Sequence, residues 1–121
     1  MNYFKDDELR CPCCGILHFS DTALARLNNA REIAGVPFVI NSACRCEKHN
    51  KEVGGKPSSS HVATEDIVSD AVDIATPDSR TRSKVLFGLV SAGFTRIGIG
   101  KNFIHADDDT IKPADVCWLY S

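Results

Sequence analysis

The stretch RIGIGKNFIHAD, residues 96–107, decides the fold predicted for this chain. Its first five and last five residues are two short runs rich in isoleucine, separated by the polar pair Lys101-Asn102. Short apolar runs on either side of a polar turn are typical of a β-hairpin. The stretch therefore predicts two paired strands, the second of which carries His105 and ends at Asp107.

Outward from this hairpin, helices and strands alternate irregularly. Residues 71–75 (AVDIA) predict a strand with Asp73 at its centre. Helical spacing of apolar residues predicts one long helix from the N-cap Ser20-Asp21 to Gly35. A second long helix is predicted to begin with a cap at 77–79, to carry Val85, Leu86, Leu89 and Val90 on one face, and to end at Gly93.

Shorter elements complete the prediction. They are a strand at 38–40, a helix at 46–53, an edge strand at 116–120 and an irregular, cysteine-bearing lead-in at 1–19. The late hairpins and the lack of a regular strand–helix repeat favour an α+β fold. We expect a single domain, residues 1–121, with a small, mostly antiparallel sheet flanked by helices.

Composition excludes several classes of protein. The chain has 14 Lys and Arg against 16 Asp and Glu, a net charge of −2, so a nucleic-acid partner is not expected. No apolar run approaches the ~20 residues of a transmembrane segment. The polar, acidic start does not resemble a signal peptide, so we expect synthesis in the cytoplasm. A monomer is expected.

Six cysteines leave three alternatives open. They are Cys11, Cys13, Cys14, Cys44, Cys46 and Cys117. In a reducing cytosol, free thiols are the simplest interpretation. Cys11 and Cys14 have the C-x-x-C spacing of zinc ligands and could hold a soft metal with Cys44 and Cys46, although the C-x-C spacing of that pair is atypical. Disulfides formed after release from the cell are the third alternative.

Polar residues inside apolar strands are the candidate chemical groups. An ionised carboxylate such as Asp73 is costly to bury unless hydrogen bonds or a cation compensate. His61, Asp73 and His105 would supply the two imidazoles and one carboxylate of a hydrolytic zinc site with one open position. On spacing alone a second interpretation is favoured, in which Asp73 pairs with an arginine and His105 is a hydrogen-bonded core residue.

Several motifs follow one another along the chain, namely NSACRCEKHN (41–50), VGG (53–55), SSSH (58–61), AVDI (71–74), GFTRIGI (93–99) and FIHAD (103–107). These motifs, in this order, resemble the M15 peptidase family, and the chain resembles its small phage-type branch. The family includes zinc D-Ala-D-Ala carboxypeptidases and phage peptidoglycan endopeptidases. The lead-in 4–15 and the closing Trp118 and Tyr120 also resemble this branch. The resemblance implies a hedgehog/D-Ala-D-Ala-peptidase-like fold.

Carried over by position, the resemblance implies three Zn²⁺ ligands, namely His61, Asp73 and His105. It places Arg45 on an arginine associated with substrate binding and Ser59 on the serine of the S-x-H motif. Arg45 would clamp a carboxylate of the peptide, as arginine forks do. Asp107 is the predicted general base, and its alternative role is to accept a hydrogen bond from a ligand histidine.

One segment departs from the family pattern. Eleven residues separate His61 from Asp73, more than the family usually has, and Ser69 stands where a glycine is usual. We expect residues 62–69 to form an exposed loop or short helix beside the site, and deletion of 63–67 to leave the fold intact. Asp66 and Asp70 are rival metal ligands, and Glu65 or Asp66 could also reach the site from this loop.

The resemblance implies a zinc-dependent peptidase that hydrolyses peptide bonds of bacterial peptidoglycan, as an endopeptidase or a D,D-carboxypeptidase. Such an enzyme would reach the cell wall after phage-type release or delivery by a virion. One alternative is a non-catalytic protein of the same fold that binds peptidoglycan or a protein partner. Another is a zinc-binding interaction module built on the cysteines.

Overall fold

The structure is a computed structural model that describes residues 2–120. The helices in this part of the chain are α1 (Asp6–Leu9), α2 (Asp21–Ala34), α3 (Glu47–Glu52) and α4 (Ser79–Ser91). The strands are β1 (Ile40–Ser42), β2 (Ala71–Ala75), β3 (Arg96–Ile99), β4 (Phe103–Asp107) and β5 (Val116–Leu119). Across residues 2–120, no helix has both the length and the apolar character needed to cross a bilayer.

The five strands form one sheet in the order β1-β2-β4-β3-β5. All neighbouring strands are antiparallel except β3 and β5, which are parallel. The predicted hairpin is confirmed, since β3 and β4 pair with Ile99 opposite Ile104. The α+β class with a small, mostly antiparallel sheet is therefore confirmed, and the closing strand lies at an edge as predicted.

Helices α2 and α4 pack against each other and share one apolar core with the sheet. A Cβ atom on Gly88 of α4 would lie 2.5 Å from the backbone oxygen of Ala30 in α2, so only glycine permits this close approach. The core residues of these helices and of the central strands are Leu27, Ala30, Val72, Ile74, Val85, Leu89, Ile97, Ile104 and Ala106.

The side chains of β2 and β4 point alternately into the core and toward the opposite face of the sheet. Val72 and Ile74 lie in the core on either side of Asp73, and Ile104 and Ala106 lie there on either side of His105. Successive side chains of a strand point to opposite faces. Asp73 and His105 therefore project from the face opposite the helical core.

The predicted caps of both long helices are observed. The Ser20 Oγ accepts a hydrogen bond from the Ala23 amide (3.1 Å), and Asp78 Oδ1 accepts one from the Thr81 amide (2.7 Å). Helix α2 ends at Gly35, whose φ of 69° is the left-handed conformation of many helix ends. On α4, however, Val90 is exposed rather than on the buried face with Val85 and Leu89.

Two short elements differ from the prediction. The lead-in is not wholly irregular, because it contains α1, whose first turn is tied by a hydrogen bond from the Lys5 amide to Glu8 Oε2 (2.8 Å). A single turn is too short to show helical periodicity. The first strand lies at 40–42 rather than 38–40, because Phe38 packs its ring against Phe4 while Ile40 pairs with Ile74.

The segment 62–69 is a loop that is exposed only in its middle. Residues 65–68 are exposed, whereas Val62, Ala63 and Ser69 are buried. The Ala63 amide donates to the Arg45 carbonyl, and the Ser69 amide donates to the His18 carbonyl, both at 2.8 Å. The expectation of an exposed loop is therefore wrong at its ends, and a deletion of 63–67 would remove a core residue, Ala63.

Candidate metal centre

Strand register places two of the candidate ligands side by side. Asp73 on β2 lies directly opposite His105 on β4, and both project from the same face of the sheet. The same register continues outward from His105 to Gly98 on β3 and from Gly98 to Trp118 on β5. One row across the sheet thus presents a carboxylate, an imidazole, a position without a side chain and an indole.

The third candidate, His61, comes from the loop that precedes β2. The backbone of residues 61–63 pairs with Arg45: the Arg45 amide donates to the His61 carbonyl, and the Ala63 amide donates to the Arg45 carbonyl, each at 2.8 Å. The Ser59 Oγ also accepts a hydrogen bond from the His61 amide (3.2 Å). These bonds hold the imidazole of His61 in a buried position over Asp73.

The three side chains converge on one point. Asp73 Oδ1 lies 3.2 Å from His61 Nε2 and 2.9 Å from His105 Nδ1. One ligand atom from each side chain lies within 4.8 Å of the others. Two imidazole nitrogens and a carboxylate oxygen are donors that suit zinc. His61, Asp73 and His105 are therefore a donor set in which a zinc ion fits.

A hydrogen bond at Nδ1 of His61, the ring nitrogen that does not face Asp73, supports this fit. Its Nδ1 lies 2.8 Å from the backbone oxygen of Ala43, which can only accept, so Nδ1 carries the proton in the neutral ring. The lone pair of Nε2 then faces Asp73 Oδ1, and two acceptors in contact require a proton or a cation between them. Burial lowers the pKa of His61, although Asp73 acts in the opposite direction, so the neutral, metal-binding form is favoured.

Electrostatics keep the carboxylate ionised. Burial raises the pKa of Asp73, but its contacts with His105 and His61 outweigh burial and hold this pKa well below its ordinary value. The other oxygen, Oδ2, accepts from Arg45 Nη2 at 3.2 Å. The arginine pairing that we considered as an alternative is thus observed, but it engages only one oxygen and leaves Oδ1 to the two imidazoles.

Two further side chains hold Arg45. Its Nε donates to Ser42 Oγ (2.9 Å), and its Nη1 donates to Asn50 Oδ1 (3.4 Å). Asn50 is buried, and its own amide group donates to the Lys56 carbonyl (2.8 Å). The sequence alone does not assign this role to Ser42 and Asn50, although both belong to the motif at 41–50 that carries Arg45.

Asp107 lies on the far side of His105 from Asp73. Its Oδ2 lies 2.7 Å from His105 Nε2, and its Oδ1 accepts from Arg96 Nε (2.8 Å) and from the Asp109 amide (3.2 Å). Burial lowers the pKa of His105, but hydrogen bonds to Asp107 and Asp73 outweigh burial and raise it. Asp107 is fully buried, so these contacts favour the role of orienting His105, while the general-base role stays a prediction.

The other acidic candidates lie elsewhere. Glu65 and Asp66 are exposed on the loop, outside the group formed by His61, Asp73 and His105. Asp70 lies close to Asp107, Asp108 and Asp109 rather than within that group. Among the acids of the 62–73 segment, only Asp73 contacts the imidazoles.

A cleft of about 490 Å³ opens onto the centre. Arg45, Ser59, His61, Asp73 and His105 are among its lining residues. The remaining lining residues include a cationic and aromatic set, namely Lys56, Arg96, Phe103, Lys112, Trp118 and Tyr120, and a set of small and apolar ones, namely Val53, Gly54, Gly55, Ser58 and Ser60.

The aromatic wall follows from the edge strand. The Trp118 ring lies 5.6 Å from the His105 ring, and the Arg96 guanidinium lies 5.2 Å from the Trp118 ring centre. Tyr120 continues the wall toward Phe103, with ring centres 5.1 Å apart. The sequence predicts this edge strand without assigning a role to its rings. The alternation of Trp118 and Tyr120 along a strand was the available signal.

The thiols form a second group. Cys11, Cys14 and Cys46 bring their sulfur atoms within 4.8 Å of one another, and Cys44 is buried outside this group. Of the thiols in the soft-metal alternative, Cys44 is therefore not part of this group. Its side chain lies instead against Ser69, far along the chain from the lead-in.

Comparison with protein families identifies the family of the chain. No curated protein matches the chain significantly. The family model described as "Peptidase M15" matches residues 2–107, which include all three converging side chains. Members of this family are zinc peptidases, in keeping with the donor set described above. The chain therefore belongs to the M15 peptidase family.

Proposed function

We propose that this chain is a zinc-dependent peptidase that hydrolyses peptide bonds of bacterial peptidoglycan. The observation that carries the proposal is the convergence of His61 Nε2, Asp73 Oδ1 and His105 Nδ1 at the floor of an open cleft. Family membership supports a peptidase-type activity. The substrate class is inferred from the resemblance in sequence and from the charge of the cleft.

The residues of the cleft would have separate roles in metal binding, orientation and substrate binding. His61, Asp73 and His105 would hold zinc, and Asp107 would keep His105 oriented. Zinc, when bound, supplies a Lewis acid that polarises the scissile carbonyl and makes water a stronger acid. Arg45, on the cleft wall beside Asp73, would bind a carboxylate of the peptide.

The charge of the cleft supports an acidic substrate. Four cationic side chains line it, namely Arg45, Lys56, Arg96 and Lys112, whereas Asp73 is the only carboxylate among the described lining residues. Peptidoglycan stem peptides carry free carboxylates, which such a wall attracts. Trp118 and Tyr120 would pack against the apolar parts of the same peptide, and Ser59 would offer its hydroxyl at the rim.

The same observation favours a second candidate function. Peptide hydrolysis needs a group that passes a proton to the leaving amine. Among the described residues that line the cleft, no carboxylate other than Asp73 is present, and Asp107 is enclosed by its hydrogen bonds. A non-catalytic protein that binds peptidoglycan through this cleft would have the same features.

Metal analysis combined with digestion of purified peptidoglycan tests both functions. We expect zinc at the histidine centre and release of new amino termini, both lost in His105→Ala. His49→Ala, which changes a histidine outside the centre, serves as the matched control and should behave as wild type. Peptidoglycan binding without new termini would support the second function, and full zinc affinity in His105→Ala would overturn the ligand assignment.

A further inference from the structure

The thiol group of Cys11, Cys14 and Cys46 lies outside the cleft and has no part in the function proposed above. The three sulfur atoms come from two separate segments, the lead-in and the start of α3, and lie within 4.8 Å of one another. All three cysteines are free thiols in the structure. Three soft donors around one point are the arrangement that thiolate metal sites use.

A tight turn brings the side chains of Cys11 and Cys14 together. The Gly15 amide donates to the Cys11 carbonyl, and the Cys11 amide donates to the Ile16 carbonyl, both at 2.8 Å. Gly15 has a φ of 80°, a conformation that most residues adopt only under strain. This turn folds the C-x-x-C segment back on itself, so that the side chains of Cys11 and Cys14 reach the same point.

Backbone amides point at two of the sulfurs. The Cys46 amide donates to Cys11 Sγ, and the His49 amide donates to Cys46 Sγ, each at 3.3 Å. An amide donor stabilises a thiolate more than a neutral thiol, and the thiolate is the form that binds metals. The hydrogen bonds therefore prepare Cys11 and Cys46 as ligands.

A fourth thiol lies beside the group. The side chain of Cys13 contacts that of Cys46, which also contacts Cys14 and Cys11. A single disulfide would join two of these four sulfurs, whereas one tetrahedral metal ion can take all four as ligands.

We propose that Cys11, Cys14 and Cys46 bind one structural zinc ion, with Cys13 as the fourth ligand. The metal would tie the lead-in to the segment that begins α3. Arg45 directly precedes Cys46 and contacts Asp73, so this tie would also fix one wall of the cleft. This site is independent of the histidine centre, and either can be correct without the other.

Cobalt titration of the reduced, metal-free full chain tests the proposal. Cobalt bound by thiolates gives a sulfur-to-metal charge-transfer band in the near ultraviolet, which two imidazoles and a carboxylate cannot give. We expect this band to saturate at one equivalent per chain and to disappear when zinc is added. His61→Ala and His105→Ala should leave the band unchanged, which separates this site from the proposed peptidase centre.

Cysteine variants locate the ligands. Cys14→Ser and Cys46→Ser should lose the band, whereas Cys117→Ser, which changes an exposed cysteine outside the group, should keep it. Cys14 is exposed and Cys46 half-buried, so serine is expected to be tolerated, and circular dichroism checks the fold. Absence of the band in the wild type, or its persistence in Cys14→Ser, would overturn the site whether or not Cys46→Ser folds.

Discussion

At the residue scale, the two oxygens of Asp107 show how surroundings define the role of a carboxylate. One oxygen accepts from His105, and the other is shared by Arg96 and the Asp109 amide. A base must present a free lone pair to the reacting water. The contacts of Asp107 instead match those of a carboxylate that fixes the ring of a metal ligand.

Asp107→Asn should therefore weaken zinc binding by about 10–100-fold, because His105 loses its anionic partner. Activity should return in large part when zinc is added in excess. Zinc titration alongside a turnover assay is the measurement. If Asp107 were the general base, zinc affinity would stay at the wild-type value while turnover fell by about 10²–10⁴-fold at any zinc concentration.

At the element scale, the pairing of β3 with β5 builds one wall of the cleft. Trp118 lies across Gly98, where an added Cβ would be only 2.4 Å from the indole nitrogen. The indole reaches the His105 ring because the position between them has no side chain. Strand register thus decides which ring stands beside the metal centre.

Gly98→Ala should displace the Trp118 ring from His105. The chain has one tryptophan, so its fluorescence reports this single ring. We expect a shifted emission spectrum in the variant and a raised KM with a smaller change in kcat, because the wall moves while the proposed metal ligands stay. An unchanged spectrum would contradict the close packing described here.

The contact between α2 and α4 also depends on one glycine. Replacing glycine by alanine inside a helix ordinarily stabilises a protein by about 0.5–1 kcal/mol. At Gly88 the new methyl group would meet the Ala30 carbonyl, so we expect Gly88→Ala to destabilise the fold by about 1–3 kcal/mol.

Denaturant unfolding measures this change. Ser83→Ala, at an exposed position of the same helix, is the control and should be neutral or slightly stabilising. A stabilising effect of Gly88→Ala would show that the two helices have room to separate.

At the scale of the whole molecule, the end of β4 and the loop before β2 bring acids together. Burial raises the pKa of Asp70, and together with the nearby acids Asp109, Asp107 and Asp108 it brings this pKa to about 7, while Lys112 acts in the opposite direction. The folded chain therefore holds this proton more tightly than the unfolded chain, in which the pKa lies near its ordinary value of 3.8. The stabilising contribution is full below about pH 4 and is lost as the pH rises through about 7.

Asp70→Asn should abolish this loss of stability with rising pH. We expect its midpoint of thermal unfolding to exceed that of the wild type at pH 8, with the difference shrinking as the pH falls toward 4. Thermal unfolding followed across this range gives the measurement. Asp66→Asn makes the same charge change on the exposed loop and should show no such trend. A difference independent of pH would mean that the Asp70 carboxyl is not the titrating group.

Local patterns in the sequence were sufficient for most of the fold. The caps at Ser20 and Asp78 and the hairpin at 96–107 depend on neighbouring residues, so they can be predicted without the tertiary structure. The resemblance of the motifs to the M15 family also pointed to His61, Asp73 and His105, whereas spacing alone favoured a pairing of Asp73 with an arginine. Their use as zinc ligands stays a proposal.

Only the tertiary structure decided how these residues meet. The register that sets Asp73 opposite His105, and the pairing of residues 61–63 with Arg45 that delivers His61, join segments far apart in the chain. The gathering of Cys11 and Cys14 with Cys46 is a contact of the same kind. Periodicity and capping act over a few residues, whereas these contacts depend on how whole elements pack, which no local pattern encodes.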